Sequence, residues 1–271
     1  MSGYRLSAKR NFARVIALTF FVGALPFLHC ASAHAHETDS ISKRQRLADE
    51  FTYNAQAKIQ AAYLWRGLYA GGSNIQASAN VGFYGWYVDM WWNVGVTDLT
   101  FRTFQPEVDF TVGFDRWGLN VFVYMVHNFD CGFFDFAHYP DQGNRVDADI
   151  RYTISDKIPL TFMWATRIAG ADCYLNDAGD IVRAWSSYAE ISYNHHFRDG
   201  YSVYGAIGAT PWRGCYNDRG AALQNIEVRV RKDWTPTRHL GMMLQGQVAV
   251  SPMQKKHVIN TNLTFGIYLI K

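Results

Sequence analysis

The sequence predicts an all-β fold: a closed, antiparallel transmembrane β-barrel of twelve strands, with short periplasmic turns and longer extracellular loops. Three observations point to it. Beyond residue 54 almost the whole chain alternates polar and apolar residues with period two, the pattern of a strand with two unlike faces. The alternating segments are about as long as the ~9–11 residues of a tilted membrane strand. The connections between them are short and long by turns, as in a barrel whose turns face the periplasm and whose loops face outside.

Composition agrees. Of 271 residues, 49% are hydrophobic, 16% aromatic and 18% charged; an average soluble domain has about 25% charged residues. The mean hydropathy of −0.16 is too polar for a bundle of membrane helices. The one long apolar run, Val15 to Leu28, follows Arg5, Lys9, Arg10 and Arg14 and precedes the small residues Ala31-Ser32-Ala33 and Ala33-His34-Ala35. A basic region, a short apolar region and an A-x-A site make a secretory signal peptide, with cleavage expected near Ala33 or Ala35. Cys30 would be a lipidation site only if a small residue preceded it, and His29 stands there. Cleavage removes four basic side chains, so the formal charge of +3 becomes −1 and no basic patch suggests nucleic acid. The expected organisation is a signal peptide over residues 1–35, a short polar periplasmic segment over 36–54, and one barrel domain over 55–271. No internal repeat or linker suggests a second domain.

The strands are expected, in order, at 55–68, 74–84, 86–97, 104–115, 119–129, 145–155, 159–169, 185–197, 201–211, 222–234, 240–250 and 257–270. The first sets Gln56, Lys58 and Gln60 against Ala57, Ile59, Ala61, Tyr63 and Trp65. The second sets Asn74, Gln76, Ser78 and Asn80 against Ile75, Ala77, Ala79, Val81 and Phe83. The last sets Asn260, Asn262 and Thr264 against Thr261, Leu263, Phe265, Ile267 and Leu269. Short turns fall at Tyr84-Gly85, Asp115–Gly118, Ser155–Ile158, Arg198–Gly200 and Thr235–Arg238. The long connections at 130–144, 169–184 and 211–221 carry Gly, Asp and Asn.

Alternation alone does not separate a soluble barrel from a membrane barrel, which turns the apolar face outward. Two features favour the membrane. The polar faces carry Asn, Gln, Asp and Arg instead of surface Lys and Glu. Aromatics gather at strand ends, Trp65, Tyr69, Trp185 and Trp212 towards the loops and Tyr84, Trp86, Trp117 and Trp234 towards the turns, as in interfacial girdles.

The stretch 62–95, with Tyr63, Trp65-Arg66-Gly67, Gln76, Gly82-Phe83 and Trp91-Trp92, resembles the opening hairpins of the TorF-type porin family. The resemblance implies an outer-membrane barrel of pore type with no established catalytic residues. Many such barrels end on an aromatic residue, whereas this chain ends Tyr268-Leu269-Ile270-Lys271.

Parity puts charges inside the barrel. Asp89, Glu107, Asp109, Asp147 and Asp149 form an expected acidic wall. Lys58, Arg66, Arg229 and Arg231 form an expected basic wall. Glu190, Arg151 and Arg167 also point inward. A transverse field of this kind orients polar solutes and filters ions. The same charges could instead pair locally, Asp147 or Asp149 with Arg167 and Glu227 with Arg229, and fill a plugged interior; a twelve-strand ring lies between filled and open sizes. Cys131, Cys173 and Cys215 each follow the outer end of a strand, and one disulfide is expected among them, Cys131–Cys173 or Cys173–Cys215. No CxxC spacing supports a metal, and no cofactor is called for. His127 near an outer strand end has no Ser or Asp of matching parity beside it, and His195-His196 falls at the periplasmic end of its strand, the wrong level for chemistry at the outer leaflet. With no G-x-S-x-G, Walker loop or dinucleotide fingerprint either, no catalytic residue is expected. The function expected is passive passage of small polar solutes through the outer membrane. A non-conducting structural or partner-binding barrel, or a homo-oligomer within a larger assembly, is the alternative, and a lipid-modifying enzyme the third.

Overall fold

The computed structural model describes residues 50–96, 106–129, 131–136, 143–218 and 220–270. The expected signal peptide, its cleavage site and Cys30 lie outside the described residues. Twelve antiparallel strands close into a barrel, and two further pairs of short strands lie apart from it. In chain order the elements are β1 (Phe51–Gln60), β2 (Tyr63–Trp65), β3 (Leu68–Gly71), β4 (Asn74–Phe83), β5 (Trp86–Gly95), β6 (Pro106–Arg116), β7 (Leu119–His127) and β8 (Arg145–Thr153). They continue with β9 (Leu160–Gly170), β10 (Cys173–Leu175), β11 (Ile181–Arg183), β12 (Ser187–His196), β13 (Tyr201–Thr210), β14 (Ala222–Thr237), β15 (Leu240–Val250) and β16 (Ile259–Leu269). Round the ring the order is β1-β16-β15-β14-β13-β12-β9-β8-β7-β6-β5-β4, and β4 pairs with β1 to close it. Closure pairs every edge, which lipid requires because it offers no partner to a free N–H or C=O.

The barrel is inside-out compared with a soluble one. Ile59, Ile75, Val112, Val228, Val248 and Leu263 are exposed on its outside. Their polar neighbours Gln76, Glu227, Gln247, Asn262 and Thr264 are buried on the inside. Aromatic residues band the turn end: Trp86 packs edge-on against Phe114, Trp117 is 80% exposed, and His195 lies between Tyr193 and Phe197. Trp164 and Trp212 pack together nearer the loops. An apolar exterior with an aromatic band and a polar interior is the pattern of an outer-membrane barrel, and this protein is one.

Tight X-Gly turns close the periplasmic side. Tyr84-Gly85 and Trp117-Gly118 have positive φ at both residues, as a two-residue type I′ hairpin turn demands. A Cβ on Gly85 or Gly118 would press on the carbonyl of Asp115 or Thr153. Here the structure agrees with the sequence to within a few residues. Two places differ. The turn expected at Thr235–Arg238 is part of β14, which runs on to Thr237 with a break in register after Trp234; Pro236 has no N–H to give the ladder, so the strand bulges there instead of ending.

The larger difference is at the first strand. The expected 55–68 is not one strand. β1 spans Phe51–Gln60, and the chain then leaves the wall to form the separate hairpin β2–β3. Trp65 pairs with Leu68, and Arg66 and Gly67 between them both have positive φ, at 49° and 79°. Arg66-Gly67 is therefore a hairpin turn, of the same X-Gly kind as the periplasmic ones.

Candidate functional site in the barrel lumen

The β2–β3 hairpin leaves the outer rim between β1 and β4 and folds into the lumen. Its stem is tied to the rim: the Ala61 N–H donates to the Leu263 carbonyl and the Ala62 N–H to Asn262 Oδ1, both at 3.0 Å. Tyr63 lies against Trp91 of β5 and donates its hydroxyl to Glu107 of β6 at 2.9 Å. At the tip, Arg66 donates to Asp149 of β8 at 2.7 Å and to the Tyr216 hydroxyl. Its guanidinium lies 4.8 Å from the Trp65 ring centre and 5.2 Å from that of Tyr188 on β12. Gly67 abuts β14, three strands round the ring from β1, where a Cβ would stand 2.7 Å from the Gln224 carbonyl. The hairpin thus spans the lumen.

An apolar core forms where none was expected, inside the barrel. Ala165, Tyr188 and Tyr216 are buried together, and Trp65, Leu68 and Met163 pack on them. Gly208 makes room for this cluster, since a Cβ there would meet the Tyr188 hydroxyl. Trp65, expected in the outer girdle, stacks on Tyr216 at 5.4 Å within the plug instead.

The outer half of the lumen is filled. Asn74, Gln76, Asn93, Asp147, Gln224, Asn225, Asn260 and Asn262 are all buried. Below the hairpin lies a cavity of about 1210 Å³. Tyr63, Trp65 and Arg66 form its roof, and Glu50, Thr52, Asp115 and Arg116 line it at the periplasmic rim. Lys58, Asp89, Asp109, Arg151, Glu190 and Arg229 line its walls. The choice the sequence left open, a filled lumen or an open one, is thus answered differently in the two halves.

The expected acidic residues occupy one arc of the ring: Asp89 on β5, Glu107 and Asp109 on β6, Asp147 and Asp149 on β8. Arg229 and Arg231 stand on β14, opposite β6. The basic wall otherwise departs from expectation. Arg66 is on no wall but at the hairpin tip, bound to the acidic arc. Lys58 on β1 is two strands from Asp89 on β5, so it belongs beside the acids and not across from them. Much of the charge is also paired locally. Arg229 pairs with Glu227, Arg231 with Asp233 at 2.6 Å, and Arg167 with Asp147 at 3.1 Å. Arg145, not singled out in the sequence, reaches Glu107 at 3.5 Å. Glu190 accepts from Tyr204 at 2.7 Å and from Tyr188. The tyrosine hydroxyls of Tyr63, Tyr124, Tyr188 and Tyr204 were missed because an aromatic residue reads as apolar in a period-two pattern, and that of Tyr216 because it lies in a connection, 211–221, with no pattern to place it. Parity was the available signal: Tyr124 faces inward in register with Asp147.

The three cysteines lie in the external loops. Among the described residues no disulfide joins Cys131, Cys173 and Cys215. Each makes its own local contact. The Cys131 thiol points to Asn144 Oδ1 at 3.6 Å, Cys173 pairs with Arg183 in the β10–β11 ladder, and the Cys215 N–H donates to Ser186 Oγ at 2.7 Å. His127 is buried, with Nδ1 2.7 Å from Asn144 Oδ1 and its ring against Phe129 and Phe133. It does not stand open to the outer leaflet.

No protein-family model and no curated protein matches the chain. Solved structures do. An outer membrane channel from Pseudomonas putida F1 is 11% identical, with a TM-score of 0.48 over 81% of this chain and 95% of that one. The NanC porin is 11% identical, with a TM-score of 0.46 over 81% and 100%. The KdgM porin is 6% identical, with a TM-score of 0.42 over 81% and 98%. The similarity is one of barrel fold. The TorF-type family is not among these structures, and the Trp65-Arg66-Gly67 motif behind that resemblance is the tip of the lumen hairpin.

Proposed function

We propose that this protein is a porin-like channel for the passive passage of small polar solutes across the outer membrane, exported by the signal peptide of residues 1–35. The observation that carries this reading is the cavity of about 1210 Å³, lined by charges of both signs inside a barrel coated with apolar residues. Lys58, Asp89 and Arg151 line this space, so a polar solute in it meets charged groups of both signs. Acids on β5, β6 and β8 face Arg229 and Arg231 on β14, each arginine held beside a carboxylate of its own strand, so the walls offer a dipolar solute charged and hydrogen-bonding groups of both signs. The wall arrangement and the pore role of the TorF-type resemblance agree on this function.

Planar-bilayer conductance of the purified, signal-cleaved protein tests it, with liposome swelling in sugars and amino acids of graded size to rank solutes. Stepwise conductance is expected. A second reading, a non-conducting barrel that binds a partner or a second copy in a larger assembly, is favoured by the filled outer half of the lumen. Absence of any conductance after removal of the hairpin would replace the first reading by the second.

A further inference from the structure

We propose that the β2–β3 hairpin is a gate across the lumen and that the Arg66–Asp149 ion pair is its latch; this rests on the channel reading above. The hairpin is a sheet of its own. β2 and β3 pair with each other, and neither joins the ladder of the barrel. The stem is held at Ala61 and Ala62, and Gly71 and Gly72 return the chain to β4. Swinging the tip away breaks no pairing between barrel strands.

What holds the tip is side-chain chemistry. Arg66 is nearly buried and Asp149 wholly so, and they meet at 2.7 Å. A second cation, Arg151, sits 3.6 Å from the same carboxylate oxygen, so Asp149 keeps a partner when Arg66 departs. A carboxylate shared in this way lowers the cost of opening that an isolated buried pair would impose. Buried ion pairs contribute little net stability against apolar packing but define one arrangement sharply, which suits a latch. The identity of the residue points the same way. A type I′ turn asks for Asn, Asp or Gly at its first position, and Arg66 occupies that position at φ 49°. The periplasmic turns carry Tyr84 and Trp117 at the same position, so the turn itself accepts a large side chain, and what sets Arg66 apart is its contact with Asp149.

The hairpin also lies at the boundary that matters. The cavity ends at its underside, and in the outer half the hairpin itself lies on the buried wall residues, Ala62 against Asn262 and Gly67 against Gln224 and Asn225. Gly67 lets the tip close flush against β14, where any side chain would collide with Gln224 or Asn225.

The test is single-channel recording in planar bilayers on four proteins and a control, each first shown by its heat-modifiable gel shift to form the barrel. They are the natural chain, Arg66→Ala, Asp149→Asn, and a variant in which residues 62–72 are replaced by an Asn-Gly turn. Arg213→Ala, which loses an ion pair to Asp177 on the external loops, is the control and keeps the natural open fraction. The expected result is a natural chain that is mostly closed, a deletion variant that is continuously open, and at least about a tenfold rise in open fraction for either latch variant. A deletion variant that does not conduct overturns the channel reading and the gate with it. A natural chain that conducts as freely as the deletion variant overturns the gate alone. A closed natural chain whose latch variants remain as closed, beside an open deletion variant, overturns the assignment of the latch to Arg66 and Asp149.

Discussion

Arg66 and Asp149 are 83 residues apart in sequence and meet at 2.7 Å beneath the hairpin tip. Asp149 is 2% exposed, and Arg66 is enclosed by the rings of Trp65, Tyr188 and Tyr216. One ion pair therefore connects the first external loop to the wall of β8, and it decides where the packed part of the lumen ends.

Replacing Asp149 by Asn leaves the Arg66 charge in a site built for its partner. Removing one member of a buried pair costs about 3–5 kcal/mol; the hairpin can relieve part of this by moving. The expected outcome is a barrel that unfolds at lower guanidinium concentration, with protease cleavage newly directed to residues 62–72. Denaturation in detergent micelles followed by mapping of cleavage sites checks both.

Gly208 and Tyr188 form a second sensitive contact. Gly208→Val puts a branched side chain where the Tyr188 hydroxyl lies, and Tyr188 is fully buried. Overpacking of this kind costs about 1–3 kcal/mol. Loss of the quenching environment of Trp65, which stacks on Tyr216 beside Tyr188, is expected in the same variant. Tryptophan fluorescence against a Trp65→Phe background isolates that signal.

Neighbouring residues of β14 respond oppositely to charge. Val228 is exposed on the outside while Arg229 points into the cavity. Val228→Arg is expected to destabilise the barrel in lipid by about 2–4 kcal/mol. Arg229→Val leaves the lipid face unchanged, and its cost is expected to come from the lumen side, where buried Glu227 loses its ion pair. Equilibrium refolding into phospholipid vesicles compares the two directly.

Gly170 has φ +80°, and a Cβ there would run into the Asn144 carbonyl at the start of β8. Gly170→Ala is therefore expected to destabilise by about 1–3 kcal/mol, more than Gly246→Ala, whose Cβ meets nothing within 4 Å. Thermal unfolding of both variants in detergent gives the comparison.

Alkylation under denaturing conditions without reductant is expected to label Cys173 and Cys215 once each. Peptide mass spectrometry reads this, and a Cys173–Cys215 disulfide in that sample would contradict the loop arrangement described here.

The barrel itself was determined by the sequence. Period-two alternation, aromatic strand ends and X-Gly turns are local properties, and each residue's face in a strand follows from parity alone. That is why Asp89, Asp109, Asp147, Asp149, Arg229 and Arg231 were found pointing inward. The lumen hairpin obeyed local rules too, but they were masked. Tyr63 and Trp65 continue the apolar phase of Ala57 and Ile59, so the chain reads as one long strand through Leu68. The break lies in Ala61-Ala62, two small residues that fit either course, and in Arg66-Gly67, a turn dipeptide that a membrane girdle reading absorbs.

Only the tertiary structure decided that the hairpin turns inward, that Arg66 crosses to the acidic arc, and that Trp65 packs on Tyr216 and not in lipid. Each of these joins residues brought together by ring closure. Their energy comes from burying a guanidinium among aromatic rings and a carboxylate, surroundings assembled from β8, β12 and the β13–β14 loop. Spacing along the chain carries no record of such a meeting, because its geometry exists only once the twelve strands have closed.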